Sequence, residues 1–262
     1  MSIIEKINNG IVYIDGGLGS SLIKMGLKAG HMPETWNIEE SEKIISLHKD
    51  YINAGAQVIT TNTFGANELK IGECEYTLEK LVTSAVENAK KAIDECGKVK
   101  GEDVYIGLSI GPCSKLLEPI GDLSFEDAVS AFSKTIKIGA ECGADLIIIE
   151  TMSDTYETKA AVVAAKESCS LPVFVSVAYD EKEKLMTGAD VLSVITMLEG
   201  LRVDAIGVNC GLGPHGMKNI AEKYVEYSSI PVFVSPNAGM PKNVDGKTVY
   251  DVDADEFASV MK

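Results

Sequence analysis

No stretch of this 262-residue chain approaches the roughly 18 consecutive apolar residues that a membrane helix needs. Its first ten residues, MSIIEKINNG, lack the basic start and long apolar core of a signal peptide, so the sequence reads as cytoplasmic. Basic residues are in deficit, 24 Lys and Arg against 39 Asp and Glu, for a formal charge of −15. That balance excludes a nucleic-acid partner, whose phosphates demand clustered cations. Also missing are a Cys-x-x-Cys pair and any compact cysteine framework. The six cysteines (74, 96, 113, 142, 169 and 210) read as separate thiols of a reducing compartment. His31, His48 and His215 have no ligand spacing and read as incidental. No linker or low-complexity tract divides the chain, whose length alone allows one large domain or two small ones.

Seven β-rich segments are present: IVYID (11–15), VITTNTF (58–64), VYIGLSIGP (104–112), LIIIET (146–151), VFVSVAYD (173–180), AIGVNC (205–210) and VFVSPNAG (232–239). They are near-continuously apolar, as expected of a parallel sheet covered on both faces. Between them run amphipathic stretches such as SEKIISLHKDYINAGA and SFEDAVSAFSKTIKIGAECGA, with apolar positions three and four apart. No switch in character divides the winding, which fits a (β/α)8 TIM-type barrel better than a doubly wound sheet. The expectation is one barrel domain over residues 1–262, C-terminally incomplete. The chain stops inside a seventh helix, DADEFASVMK, with Asp253 and Asp255 in its first turn, and the eighth β/α unit is missing from the sequence.

Polar residues gather where these strands end: Asp15; Thr61, Asn62 and Thr63; Ser109; Glu150; Tyr179 and Asp180; Cys210; and Asn237. In a β/α barrel that rim is where active sites are built. Each has an ordinary alternative, since every strand must stop somewhere. GLGPHG (211–216) has the spacing of a dinucleotide fingerprint, but it sits in the sixth unit and contains Pro214. The strand after it also lacks the acidic residue that holds a ribose. It reads as a Gly-rich turn into a helix. In DGGLGSSL (15–22), an acid directly before the glycines would repel phosphate and suits an ammonium group better. Gly16 and Gly17 would let a small ligand approach the backbone, although a tight β-turn accounts for them equally well. Glu150 is either a second ammonium contact or a solvent-facing strand-end acid. Cys210 is either a sulfur placed for chemistry or a small hydrophobe.

Six stretches in register, DGGLGSSL, AGAQVITTNTFGAN, SIGPCSKLLEPIGDLSFEDA, IIIETMSD, GVNCGLGPHGM and VSPNAGMP, resemble the homocysteine S-methyltransferase family. Within it, the likeness is to the homocysteine-binding module of cobalamin-dependent methionine synthases. The resemblance implies a (β/α)8 barrel, methyl transfer to homocysteine giving methionine, and a zinc held by three cysteines. Cys210 matches the first of these, in a G-x-N-C motif. The other two belong to a GGCC motif expected beyond Lys262, so the zinc site is incomplete in this chain. Of the earlier cysteines Cys113 comes nearest to a replacement. Asp15 and Glu150 match the acids that hold the amino group. Gly16, Gly17, Thr63, Ser109 and Asn237 would line the substrate pocket, and Asn209 would orient the ligand loop. The expected methyl carrier is cobalamin on a partner module, with folate-binding modules or subunits as further partners and betaine or S-methylmethionine as other donors. The competing expectation is a truncated, non-catalytic homologue that binds an amino-acid thiol or assembles with another chain.

Overall fold

Six of the seven apolar runs form parallel strands in the computed structural model, which describes residues 1–28, 30–72, 74–98, 101, 103–239, 242–244 and 247–262. They are β1 (Val58–Thr60), β2 (Tyr105–Ile110), β3 (Leu146–Met152), β4 (Val173–Val177), β5 (Ala205–Asn209) and β6 (Val232–Ser235). Helices alternate with them, giving an α/β fold. The chain divides into two compact units, Met1–Ile149 with Ala160–Val173, and Glu150–Lys159 with Phe174–Lys262.

In the first unit, β1 pairs with β2 (Val58 opposite Tyr105) and β2 with the start of β3 (Gly107 opposite Leu146). Every residue of β1 and β2 is buried, as their unbroken apolar character requires. The helix Leu78–Cys96 turns Leu81, Val82, Ala85, Val86, Ala89 and Ala92 inward at three- and four-residue spacing. It is started by Thr77, whose hydroxyl accepts from the Lys80 N–H. This helix packs against Ser41–Ala54 and Phe125–Glu141. Gly139 lets the latter lie close on β2, since a Cβ there would overlap the Leu108 side chain. No helix among the described residues is long and apolar enough to cross a membrane.

The first run, IVYID, departs from expectation. It forms no strand, only a single parallel bridge from Ile14 to Val58, with the Asp15 N–H donating to the Val58 carbonyl at 2.9 Å. The physical reason is exposure: Ile11 is 81% and Tyr13 64% exposed, so this run is not covered on both faces, and Gly16 and Gly17 follow at once.

In the second unit, the end of β3 meets β4 through the Ala178 N–H and the Met152 carbonyl at 2.9 Å. Then β4 pairs with β5 (Ser176 opposite Gly207) and β5 with β6 (Asn209 opposite Ser235). Gly207 admits its neighbour strand because a Cβ would strike the Phe233 carbonyl. After β6 comes an antiparallel hairpin, β7 (Lys242–Val244) with β8 (Lys247–Val249), where the sequence reading passes directly to a helix. An Asp-Gly pair lies between its strands in the sequence, a hairpin signal, although Asp245 and Gly246 fall outside the described residues. The final helix is Ala254–Met261. Asp253 caps it by accepting from the Glu256 N–H at 2.9 Å, so Asp255 but not Asp253 lies in its first turn.

Candidate functional site

In the second unit, the ends of β3 and β5 bring Glu150, Thr151, Asn209 and Cys210 together. Asn209 is buried, and its amide is used on both sides. Its Oδ1 accepts from the Thr151 N–H and from the Ser176 hydroxyl, each at 3.0 Å. Because a backbone N–H can only donate, the orientation of the amide is settled. Its Nδ2 therefore faces the other way, donating to Thr151 Oγ1 at 2.8 Å, with Glu150 Oε2 at 3.5 Å and Cys210 Sγ at 3.6 Å. Thr151 Oγ1 in turn donates to Cys210 Sγ at 3.7 Å.

Both residues at this sulfur have left-handed backbone, Thr151 at φ 59° and Cys210 at φ 56°. For a side chain other than glycine this costs about 1–2 kcal/mol each, and for a β-branched threonine it is a genuine outlier. The surroundings hold it in place. The Cys210 N–H donates to the Ser235 carbonyl at 3.2 Å, and the Cys210 carbonyl accepts from the Leu212 N–H at 2.7 Å. Burial pushes the Cys210 thiol above its ordinary pKa and the Glu150 charge adds to this, while the Thr151 hydrogen bond works the other way.

The glycines after Cys210 serve the turn. Gly211 has φ 71° and would place a Cβ 2.9 Å from the Tyr179 carbonyl. Gly213 caps the helix Pro214–Tyr227, with Pro214 in its first turn. Asn237 is half-buried, and its N–H donates to the Leu212 carbonyl at 3.0 Å. The last two residues of VSPNAGMP, Met240 and Pro241, lie outside the described residues. Tyr179 is turned elsewhere, its hydroxyl 3.0 Å from that of Tyr224.

In the first unit, the half-buried Asp15 carboxylate accepts from the Thr60 N–H at 2.8 Å and from the Thr60 hydroxyl at 3.0 Å. Gly16 and Gly17 are exposed, and a Cβ on Gly16 would stand 3.0 Å from the Tyr51 hydroxyl. Thr63 and Ser109 are both buried: Thr63 Oγ1 donates to the Ser109 carbonyl at 2.7 Å, and the Ser109 N–H donates to Thr61 Oγ1 at 3.2 Å. Cys113 is fully buried, with its thiol 3.5 Å from the Lys115 carbonyl.

Thr151 and Ser176 are the members of this cluster that the sequence reading passes over. Each carries a weak signal, a threonine directly after the strand-end acid and the one hydroxyl inside VFVSV. Among the described residues no group of three or more His, Cys, Asp or Glu is arranged to hold a metal ion. A catalytic zinc takes three protein ligands and keeps a fourth position open. The donor set around Cys210 does not fit that centre.

A family model described as homocysteine S-methyltransferase matches residues 12–262. The methionine synthases of Mycobacterium tuberculosis and Mycobacterium leprae are 27% and 26% identical to the chain over 272 aligned residues, 99% of its length. The chain spans 23% and 22% of those relatives, less than a quarter of each. Among solved structures, the metallated form of the homocysteine methyltransferase MmuM from Escherichia coli superposes with a TM-score of 0.77. It is 21% identical, over 90% of this chain and 86% of that one. Its oxidised form gives 0.76 at 22% identity, over 87% and 82%. At such identities the likeness establishes a shared fold.

Proposed function

The chain belongs to the homocysteine S-methyltransferase family, and on that premise we propose that it binds homocysteine and takes part in methylating its thiol to give methionine. The observation that carries the reading is the family match across residues 12–262, together with a strained cysteine at the end of β5 whose sulfur meets a hydroxyl and a carboxamide, the latter also 3.5 Å from the Glu150 carboxylate. On the same premise the alternating strands and helices are read as part of a (β/α)8 barrel.

Methyl transfer forms a sulfur–carbon bond, breaks the bond from the donor to the methyl carbon, and releases the thiol proton. Only the thiolate attacks well, and an unperturbed thiol with a pKa near 8.5 is mostly protonated at neutral pH. In the second unit Glu150 is assigned to the substrate ammonium, while Asn209 orients the turn that carries Cys210. In the first unit Asp15 is assigned to the ammonium as well. Gly16 and Gly17 leave backbone open to a ligand, and Thr63, Ser109 and Asn237 are kept as lining residues. Cys210 is the one thiol ligand assigned here. The described donors do not fit a three-ligand zinc centre. Methylcobalamin on a partner module is the proposed donor, with betaine and S-methylmethionine as alternatives. All six cysteines are free thiols, which suits the cytoplasmic location proposed for the protein.

The test is calorimetry with homocysteine, followed by mass spectrometry for methionine in the presence of each donor. Homocysteine that fails to bind a chain shown by circular dichroism to be folded, and no methionine from any donor, would sink the reading.

A further inference from the structure

Asn209 Nδ2 donates to Thr151 Oγ1 at 2.8 Å, and Thr151 Oγ1 lies 3.7 Å from Cys210 Sγ. A hydroxyl has one proton to give. Because the Asn209 amide fills one acceptor position of this oxygen, the threonine's own proton is directed at the sulfur. We propose that Thr151 is a positioning residue for the family reaction: its hydroxyl fixes the direction in which the Cys210 sulfur points.

Three further observations support the assignment. Thr151 is held at φ 59° although a branched side chain disfavours that conformation, and its N–H is bonded to Asn209 Oδ1 at 3.0 Å. Strain of this kind persists only where surrounding groups over-determine it, and it gathers at working sites. Asn209 is itself anchored from a third strand by the Ser176 hydroxyl at 3.0 Å, so the amide cannot follow the threonine if that side chain turns away. On the far side, Cys210 is tied through its N–H to the Ser235 carbonyl at 3.2 Å, which leaves the side-chain torsion of Cys210 as the freedom that Thr151 restricts. Thr151 and Cys210 are thus both held at the backbone, and the oriented hydroxyl acts on the rotamer alongside the Asn209 amide, which stands 3.6 Å from the same sulfur.

The inference rests on the functional reading given above, and its test separates the two. The chain is labelled with ¹³Cβ-cysteine, and the Cys210 resonance is identified by its loss in Cys210→Ala. Thr151→Val keeps the branched shape and removes the hydroxyl; Thr151→Ser restores the hydroxyl; Thr151→Gly stands in if the valine variant does not fold. The expected result is a Cys210 signal that moves or broadens in the Val and Gly variants and returns to its original position in Ser. Homocysteine affinity is expected to fall about tenfold in Val and Gly and to stay within about twofold in Ser. An unmoved Cys210 signal in both hydroxyl-free variants overturns the proposal. So does a fall in affinity that only tracks lost thermal stability and is not restored by serine. Failure of the unaltered chain to bind homocysteine overturns the functional reading, while the resonance comparison still decides the role of Thr151.

Discussion

The loop after β1 and the ends of β3 and β5 are both built on threonine and asparagine, and use them in different ways. In the first unit, Thr61, Thr63 and Ser109 bond one another and the backbone. Asn62 Nδ2 donates to the Pro33 carbonyl and to Asn37 Oδ1, at 2.8 and 3.1 Å. These groups are spent on holding a loop. In the second unit the asparagine and threonine are bonded to each other with a donor to spare, and those donors face a sulfur. The two residues at the sulfur also carry left-handed backbone, whereas no non-glycine residue from Thr60 to Asn67 does. A polar strand end is therefore informative about chemistry only when its bonding capacity is not consumed by the backbone.

Removing the shared amide should break the second region most severely. Asn209→Ala leaves the Thr151 N–H and the Ser176 hydroxyl without their acceptor, so a loss of about 2–4 kcal/mol in urea unfolding is expected, together with loss of homocysteine binding. A variant that stays within about 1 kcal/mol, the worth of a single hydrogen bond, would show the network to be ornamental.

The two carboxylates sharpen the contrast. Glu150→Gln should weaken homocysteine binding by about 1–3 kcal/mol through loss of a charge-assisted contact, measured by calorimetry. Asp15→Asn should weaken it similarly, but with a stability loss as well, because one of the two oxygens that Thr60 bonds becomes a donor. Unchanged affinity in both variants would remove the ammonium assignment.

Mild acid, between pH 7 and pH 5, should probe the first unit through His48. His48, in the helix Ser41–Ala54, is fully buried with neither ring nitrogen hydrogen-bonded, and burial lowers its pKa from 6.5 to about 4. The unfolded chain therefore binds this proton more readily, and stability is complete above pH 6.5 and falls as the pH drops towards 4. Between pH 7 and pH 5 the linked loss is about 2 kcal/mol, and His48→Leu should abolish it. Equal loss in both proteins, followed by urea unfolding at the two pH values, would place the acid sensitivity elsewhere. The smallest effect is expected from Thr63→Val, which removes two buried bonds, one donated to the Ser109 carbonyl and one accepted from the Thr61 hydroxyl. About 1–2 kcal/mol of stability should go, with the Cys210 environment untouched. A fall in homocysteine affinity beyond that loss would support the lining role proposed for Thr63, and unchanged affinity would reduce it to a brace.

Much of the fold was legible from period and composition. Six apolar runs became β1 to β6; β1, β2, β4 and β5 are buried at every position, as parallel strands covered on both faces require, whereas β6 is half-buried along its length. The same rule misread IVYID, whose side chains are not covered. It also passed over the short hairpin, which has no such run. The helix Ile3–Asn9 was legible by another rule and overlooked: Ser2 and Glu5 form a capping box, three residues apart in SIIE. Within the site, Glu150, Asn209 and Cys210 announced themselves by interrupting apolar runs. Thr151 and Ser176 did not, because a lone hydroxyl in or beside a strand is commonplace.

Local sequence determined where the strands end, which residue types stand there, and that GVNCGLGPHG must turn after Cys210 into a helix opened by Pro214. It did not determine what those strand ends do with their hydrogen bonds. Asn209 reaches residues 58 and 33 positions away, and Thr151 meets a sulfur 59 positions along the chain. Contacts of that range exist only once strands have paired in register. Only then can the left-handed backbone at Thr151 and Cys210, unfavourable for each residue alone, be held by partners on neighbouring strands.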